Sequence, residues 1–139
     1  MRHAPVHARM TLVLCAALLM GGCRTLPEAP ADAQTLVRTE VFFGFGRKGA
    51  PDVSEQEWRD FVDREITPRF PNGLTLLDAH GQWRGEDGNV VREPSRVLIL
   101  LHPPGDDAES KIEQVRRLYR ERFAQEAVLR TDTMQRVSF

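Results

Sequence analysis

Val97-Leu98-Ile99-Leu100-Leu101 is apolar at five successive positions. A strand with one solvated face alternates apolar and polar side chains, so a run with both faces apolar belongs in the middle of a sheet. A second apolar run, Leu74 to Ala79, precedes it, and the turn sequence Glu86-Asp87-Gly88-Asn89 lies between them. The pair reads as an antiparallel hairpin. With the turn centred on Asp87-Gly88, Gln82 falls opposite Glu93 and His80 opposite Ser95. In that register Leu74, Leu76, Ile99 and Leu101 share one face, and Leu77, Leu98 and Leu100 share the other.

Working outward, Leu36 to Phe43 alternates, with Val37, Thr39, Val41 and Phe43 on one side, and reads as a strand. Ser54 with Glu57 three residues on forms a capping box, opening a helix whose Trp58, Phe61, Val62 and Ile66 share a face. Pro68 is expected to end it. After Pro103-Pro104-Gly105 a second helix runs from about Asp107 to Gln125, with Ile112, Val115, Tyr119 and Phe123 as its buried stripe. Asp106, Asp107 and Glu109 stand at its start and Arg116, Arg117, Arg120 and Arg122 follow, the order the helix dipole favours. Val128 to Phe139 supplies a last strand. The order β-α-β-β-α-β predicts an α+β ferredoxin-like sandwich, two helices on one face of a four-stranded antiparallel sheet. First and third strands are central in that topology, as the run Val97 to Leu101 requires.

Phe43-Gly44, Glu57-Trp58, Thr67-Pro68-Arg69-Phe70-Pro71-Asn72-Gly73-Leu74-Thr75, Gly81-Gln82-Trp83, Glu93, Tyr119 and Phe123-Ala124-Gln125 together carry a resemblance. The chain resembles the uncharacterised bacterial family known as domain of unknown function 3574, whose members are often small lipoproteins. The resemblance implies a fold and a location, and no activity.

Location is the sequence's clearest functional statement. A basic start, Met1 to Arg9, leads into the apolar run Met10 to Met20, then Gly21-Gly22 and Cys23. The run suits a signal peptide and is far short of the roughly 20 residues that span a bilayer. Residues 1–22 are therefore expected to be removed and Cys23 to be lipidated, although Met20 and Gly21 stand where such sites usually have Leu and Ala or Ser. Arg24, rather than Asp, favours the outer membrane, facing the periplasm. Residues 23–34, rich in Pro and Ala, read as an extended tether reaching at most about 40 Å, and residues 35–139 as a single domain.

Removing Arg2 and Arg9 from the 19 Lys and Arg leaves 17 basic against 20 acidic residues, a net charge of −3. That balance excludes a nucleic-acid footprint. Both cysteines, Cys15 and Cys23, belong to the signal region, so the domain folds without a disulfide. Gly44-Phe45-Gly46-Arg47-Lys48-Gly49 matches a dinucleotide fingerprint in letters, but Pro51 intervenes before the helix, and the segment reads as a flexible basic loop. His80 and His102 lie far apart on the hairpin, which argues against a shared metal. No metal and no cofactor are expected.

Glu93, His80 and Arg69 form the best polar cluster in the expected register, with Glu93 as a general base and Arg69 as an anion contact. Against this stands a plain role for Glu93 in tying down Arg69, Arg92 or loop amides. Trp83 and Trp58 are read as packing residues with a secondary reading as a ligand platform. Helices on one face leave an apolar sheet face open, and a homodimer through that face is expected. The functional expectation is a lipid-anchored binding or accessory module whose ligand is unknown. The alternative is a small cofactor-independent enzyme using Glu93, His80 and Arg69.

Overall fold

Strands β1 (Gln34–Gly44), β2 (Thr75–Arg84), β3 (Val90–His102) and β4 (Leu129–Val137) form one antiparallel sheet in the spatial order β2-β3-β1-β4. Helix α1 (Glu55–Phe61) joins β1 to β2, and helix α2 (Asp106–Phe123) joins β3 to β4. This is the ferredoxin-like sandwich, with β1 and β3 central as the apolar run in β3 requires. The structure, a computed structural model, describes Pro30 and residues 32–85 and 88–139. The signal-peptide, Cys23 and tether readings up to residue 29 lie outside the described residues, as do Glu86 and Asp87 of the hairpin turn. The described residues from 32 onward make one compact unit.

The hairpin register differs from the expected one by a single residue. Gly81 pairs with Glu93, His80 with Pro94 and Gln82 with Arg92. The physical reason is the loop. Gly85 N–H donates to the Asn89 carbonyl at 2.9 Å, which leaves an odd number of residues between the paired positions, where a turn centred on Asp87-Gly88 leaves an even number. Because strand side chains alternate, that slip moves every β2 side chain to the opposite face. Leu74 and Leu76 lie against the core below the helices with Leu98 and Leu100, while Leu77 joins Ile99 and Leu101 on the open face.

Helix α1 opens with the expected box. Glu57 N–H donates to the Ser54 hydroxyl at 3.2 Å, and Ser54 N–H to the Glu57 carboxylate at 2.8 Å. The helix does not stop short of Pro68. It widens over Val62–Ile66, where Thr67 N–H reaches the Val62 carbonyl five residues back, and tightens into a 3-10 turn over Thr67–Arg69. Proline has no N–H to give and its ring crowds the carbonyl one turn earlier, so the widened turn relieves the clash. In the first turn of the 3-10 segment no N–H is required of Pro68.

Both helices cover the face of Thr39, Val41, Phe43, Leu98 and Leu100. Tyr119 and Phe61 are fully buried at its centre, with Phe43–Tyr119 centroids 4.7 Å apart, Phe61–Tyr119 5.1 Å and Tyr119–Phe123 4.7 Å, in edge or tilted geometry. Such pairs add about 0.5–1.5 kcal/mol each beyond their burial.

Phe61→Ala is expected to cost about 3–5 kcal/mol in urea unfolding, as a large cavity in a packed core does. Leu77→Ala, at a position 47% exposed on the open face, should cost well under about 1 kcal/mol. The cap makes a second prediction. Hydrogen bonds from the Ser54 backbone and hydroxyl, and then from Arg47, hold Glu57 at about 2 against its ordinary 4.5. A depressed carboxylate pKa gives stability that is full above about pH 4.5 and is lost as pH falls toward 2. The stability gap between the native chain and Glu57→Gln should therefore be widest near neutrality and close through that window in acid unfolding curves.

Candidate functional site

Beyond the end of β1 the chain continues as Phe45-Gly46, and this short segment is fastened from several sides. Phe45 N–H donates to the Pro94 carbonyl at 3.0 Å and its carbonyl accepts from Val53 N–H at 2.8 Å. The Tyr119 hydroxyl donates to the Gly44 carbonyl at 2.9 Å, and the Gln125 amide donates to the Gly46 carbonyl at 2.6 Å. Gln125 is brought there by Ala124, which ends α2 in the left-handed conformation at φ 51°. Burial, and then the neighbouring Glu93 charge, push the Tyr119 phenol well above its usual range, so it stays a neutral donor.

The Glu93 carboxylate of β3 lies directly on this segment. Gly46 N–H donates to Oε2 at 2.5 Å and the Trp83 indole N–H donates to Oε1 at 3.1 Å. A Cβ on Gly44 would stand 2.5 Å from Oε1, and one on Gly46 2.6 Å from Oε2. Neither glycine has a positive φ. It is the carboxylate, rather than the backbone conformation, that excludes a side chain at both positions.

Gly44, Gly46, Gly81 and Ser95 thus present almost no side chain on the open face of the sheet. A hollow of about 690 Å³ lies over them, with Trp83 and Leu129 on its walls and Glu93 in its floor. Trp83 is 43% exposed, so the indole offers a flat surface beside the carboxylate. Two donors reach the two oxygens, which leaves a lone pair on each for a further donor. Among the described residues Glu93 has no ion-pair partner. Arg47 lies on the rim, its guanidinium held by Glu57 at 2.6 Å and by the Asp52 carbonyl at 3.2 Å, and its buried Nε is without a partner among the described residues.

Of the residues singled out from sequence, Glu93 and Trp83 meet here. His80 does not meet them by register, which puts it on the other face of β2, exposed, beside a smaller hollow of about 300 Å³ whose lining includes Gly81, Gln82, Arg92 and Glu93 as well. Arg69 does not either. It donates to the Glu65 carbonyl at 2.5 Å and to Gln114 at 3.1 Å, and pairs with the Glu65 carboxylate at 3.0 Å, tying the end of the first helical segment to α2. Of the roles weighed against catalysis for Glu93, the loop-amide contact is the one present. Trp58 is a core residue, 4% exposed. The glycine pair had a readable signal, since two glycines one residue apart at a strand end mark a close approach.

One constellation was not anticipated. On the helix face the Thr39 hydroxyl donates to Asp132 at 2.5 Å and lies 2.9 Å from His102 Nε2. Desolvation pushes the Asp132 carboxyl up, but hydrogen bonds from Thr39 and Arg130 outweigh it and hold it below its usual range. The group is not a hydrolytic triad, because the carboxylate binds the hydroxyl rather than the imidazole and Thr39 is fully buried.

Residues 38–139 match the family described as "Protein of unknown function (DUF3574)". The chain belongs to this family. No curated protein matches the sequence. Among solved structures, a phage SAM lyase in complex with S-methyl-5'-thioadenosine is similar at 16% identity, over 83% of this chain and 97% of that one, with a TM-score of 0.58. The apo form of a phage SAM lyase gives 18% identity, the same coverage and a TM-score of 0.55. CutA from Synechococcus elongatus PCC7942 is more distant, at 7% identity over 76% of this chain and 81% of that one, with a TM-score of 0.44. At these identities the likeness is one of fold. Within the family domain, Gly44, Trp83, Glu93, Tyr119 and Gln125, separated widely in sequence, converge on one strand end.

Gly44→Ala is expected to destabilise the domain by about 1–3 kcal/mol, as overpacking does. In a Glu93→Ala background the three atoms nearest the added methyl are gone, and most of that cost should vanish. A double-mutant cycle in urea gives the coupling directly, and additive costs would count against the close approach.

Proposed function

We propose that the protein is a lipid-anchored lipoprotein of the bacterial envelope, outer-membrane bound and facing the periplasm, whose domain binds a small ligand in the hollow over Glu93. The location rests on the sequence Met1 to Cys23. The binding role rests on one observation: a half-buried carboxylate, held by an amide and an indole N–H, lies in a glycine-lined hollow with acceptor capacity to spare. A ligand suited to it carries an amine or hydroxyl donor for Glu93 and a flat ring for Trp83. Nucleosides have both, and the S-methyl-5'-thioadenosine held by the phage lyase of similar fold makes that compound an informative first probe. The enzymatic alternative takes Glu93, His80 and Arg69 together; Arg69 is held by Glu65 and Gln114 away from the other two, and His80 and Glu93 share only the smaller hollow while lying on opposite faces of the sheet by register.

Thermal shift on residues 24–139 tests the binding role. A ligand at about one hundred times its Kd adds about 2.7 kcal/mol, which raises Tm by roughly 10 °C in a domain of this size. Glu93→Gln removes a charged acceptor and should weaken binding by roughly 10- to 100-fold. A shift unchanged in Glu93→Gln would remove the site. The anchor is tested separately: the full chain should partition into detergent and carry an acyl mass on Cys23, and Cys23→Ser should lose both. An aqueous-phase chain with Cys23 intact would remove the anchor.

A further inference from the structure

Glu93 is a part-buried carboxylate held by two neutral donors, Gly46 N–H and the Trp83 indole N–H. Other part-buried glutamates of the domain carry a cation. Glu40 pairs with Arg38 at 2.6 Å, Glu57 with Arg47 at 2.6 Å and Glu65 with Arg69 at 3.0 Å. Glu93 has no such partner among the described residues, although a charge drawn partly out of water gains most from an opposite charge. The basic side chains around the hollow do not fill that place. Arg47 is committed to Glu57 and to the Asp52 carbonyl. Lys48 and Arg92 stand exposed on the rim, as do Asp52 and Glu126, so these four charges offset one another in number and are screened by water. The uncompensated charge that a bound molecule meets at the floor is that of Glu93.

The indole beside it favours the same sign. Trp83 Nε1 lies 3.1 Å from Oε1. A cation on the spare lone pair of that oxygen therefore stands no more than about 6 Å from the indole nitrogen, close enough to share the exposed ring face. Phe42, Val91 and Leu129 also bound the hollow and suit an apolar body.

We infer that the hollow selects an organic cation, a primary ammonium on a short arm from a flat ring, with the ammonium on Glu93 and the ring beside Trp83 and Leu129. The inference rests on the binding role proposed above and adds charge to it. A neutral nucleoside supplies a donor and a ring. An ammonium supplies the counter-charge as well, and charge-assisted hydrogen bonds are roughly twice as strong as neutral ones. An anion of the same shape is set against Glu93 and is rejected. At about 690 Å³ the hollow has ample room, since small-molecule sites run from roughly 300 to 1,000 Å³.

Tryptamine, tryptophol and indole-3-acetate carry the same ring on a short arm that ends in an ammonium, a hydroxyl or a carboxylate. Each is titrated by calorimetry, at neutral pH and low salt, into residues 24–139, which contain every strand and helix of the fold. Tryptamine is expected to bind roughly tenfold or more tightly than tryptophol, with indole-3-acetate weakest. That order is read on the native chain and depends on no variant's folding. Glu93→Gln should bring tryptamine down to the level of tryptophol, and Lys48→Ala, at the exposed rim, should leave the order unchanged. Equal affinities for tryptamine and tryptophol, or a preference for tryptamine that survives Glu93→Gln, would overturn the inference. So would tightest binding of indole-3-acetate, which assigns the hollow to anions, or no binding of any of the three at about 10 mM. A thermal shift with S-methyl-5'-thioadenosine that is lost in Glu93→Gln, beside no preference for tryptamine, would sink this inference and leave the binding role standing.

Discussion

Tyr119 places its ring in the middle of the aromatic core and its hydroxyl on the carbonyl of Gly44. One residue thereby joins the packing of α2 against the sheet to the position of the strand end that carries the site. The ring touches Phe43, Trp58, Phe61 and Phe123, so it cannot shift without disturbing both helices. The phenol also donates to the part-buried Gly44 carbonyl, and losing a partner there would cost up to about 1–3 kcal/mol. Burial keeps the phenol protonated, which secures that bond. The strand end is then fixed on the far side by Glu93 through Gly46 N–H, and the hollow inherits the rigidity of the core rather than the mobility of a loop.

The architecture was legible because its signals come from burial, which imposes periodicity. Val97 to Leu101 marked a central strand through its two apolar faces, and Ile112, Val115, Tyr119 and Phe123 marked the inner side of α2. The site was legible only in part, because it depends on registration, which burial constrains weakly at a polar strand end. Residues 80–84 and 90–94 carry few apolar side chains, so nothing in them fixes the pairing. The loop sets it, and an odd-membered turn shifts it by one. That single step replaces His80 and Gln82 by Gly81 and Trp83 as the neighbours of Glu93. Gly81 is also silent in the sequence. A glycine beside a carboxylate leaves no residue chemistry to notice, only space.

The glycine pair shows the same limit from another side. Gly44-Phe45-Gly46 opens the segment Gly44 to Gly49, which reads as a flexible basic loop, yet neither Gly44 nor Gly46 takes a positive φ. Both are small because a carboxylate from another strand occupies the place of their Cβ atoms. Two glycines one residue apart at a strand end signal a close approach but not its partner, because the constraint comes from Glu93, 47 residues beyond Gly46 in the chain. Pro68 is a related case. Its local rule predicts a stop, and the chain instead widens and then tightens around it to keep Phe70 and Leu74 against the core.

The balance of energies at this end of the sheet bears on purpose. Each glycine inside a strand costs roughly 0.5–1 kcal/mol relative to alanine, so Gly44 and Gly81 together cost roughly 1–2 kcal/mol. The two hydrogen bonds to Glu93 are charge-assisted and worth roughly 1.5–3 kcal/mol each when buried, but at a half-exposed position water competes for the same oxygens. The Glu93 arrangement therefore comes close to breaking even as a fastening, and a Ser or Asn side chain could hold Gly46 N–H without clearing two neighbouring positions. On the opposite face the same strands are filled with Val, Leu and Phe. A fold that packs one face closely and clears the strand end of the other around a single carboxylate leaves a hollow there that its own side chains do not fill.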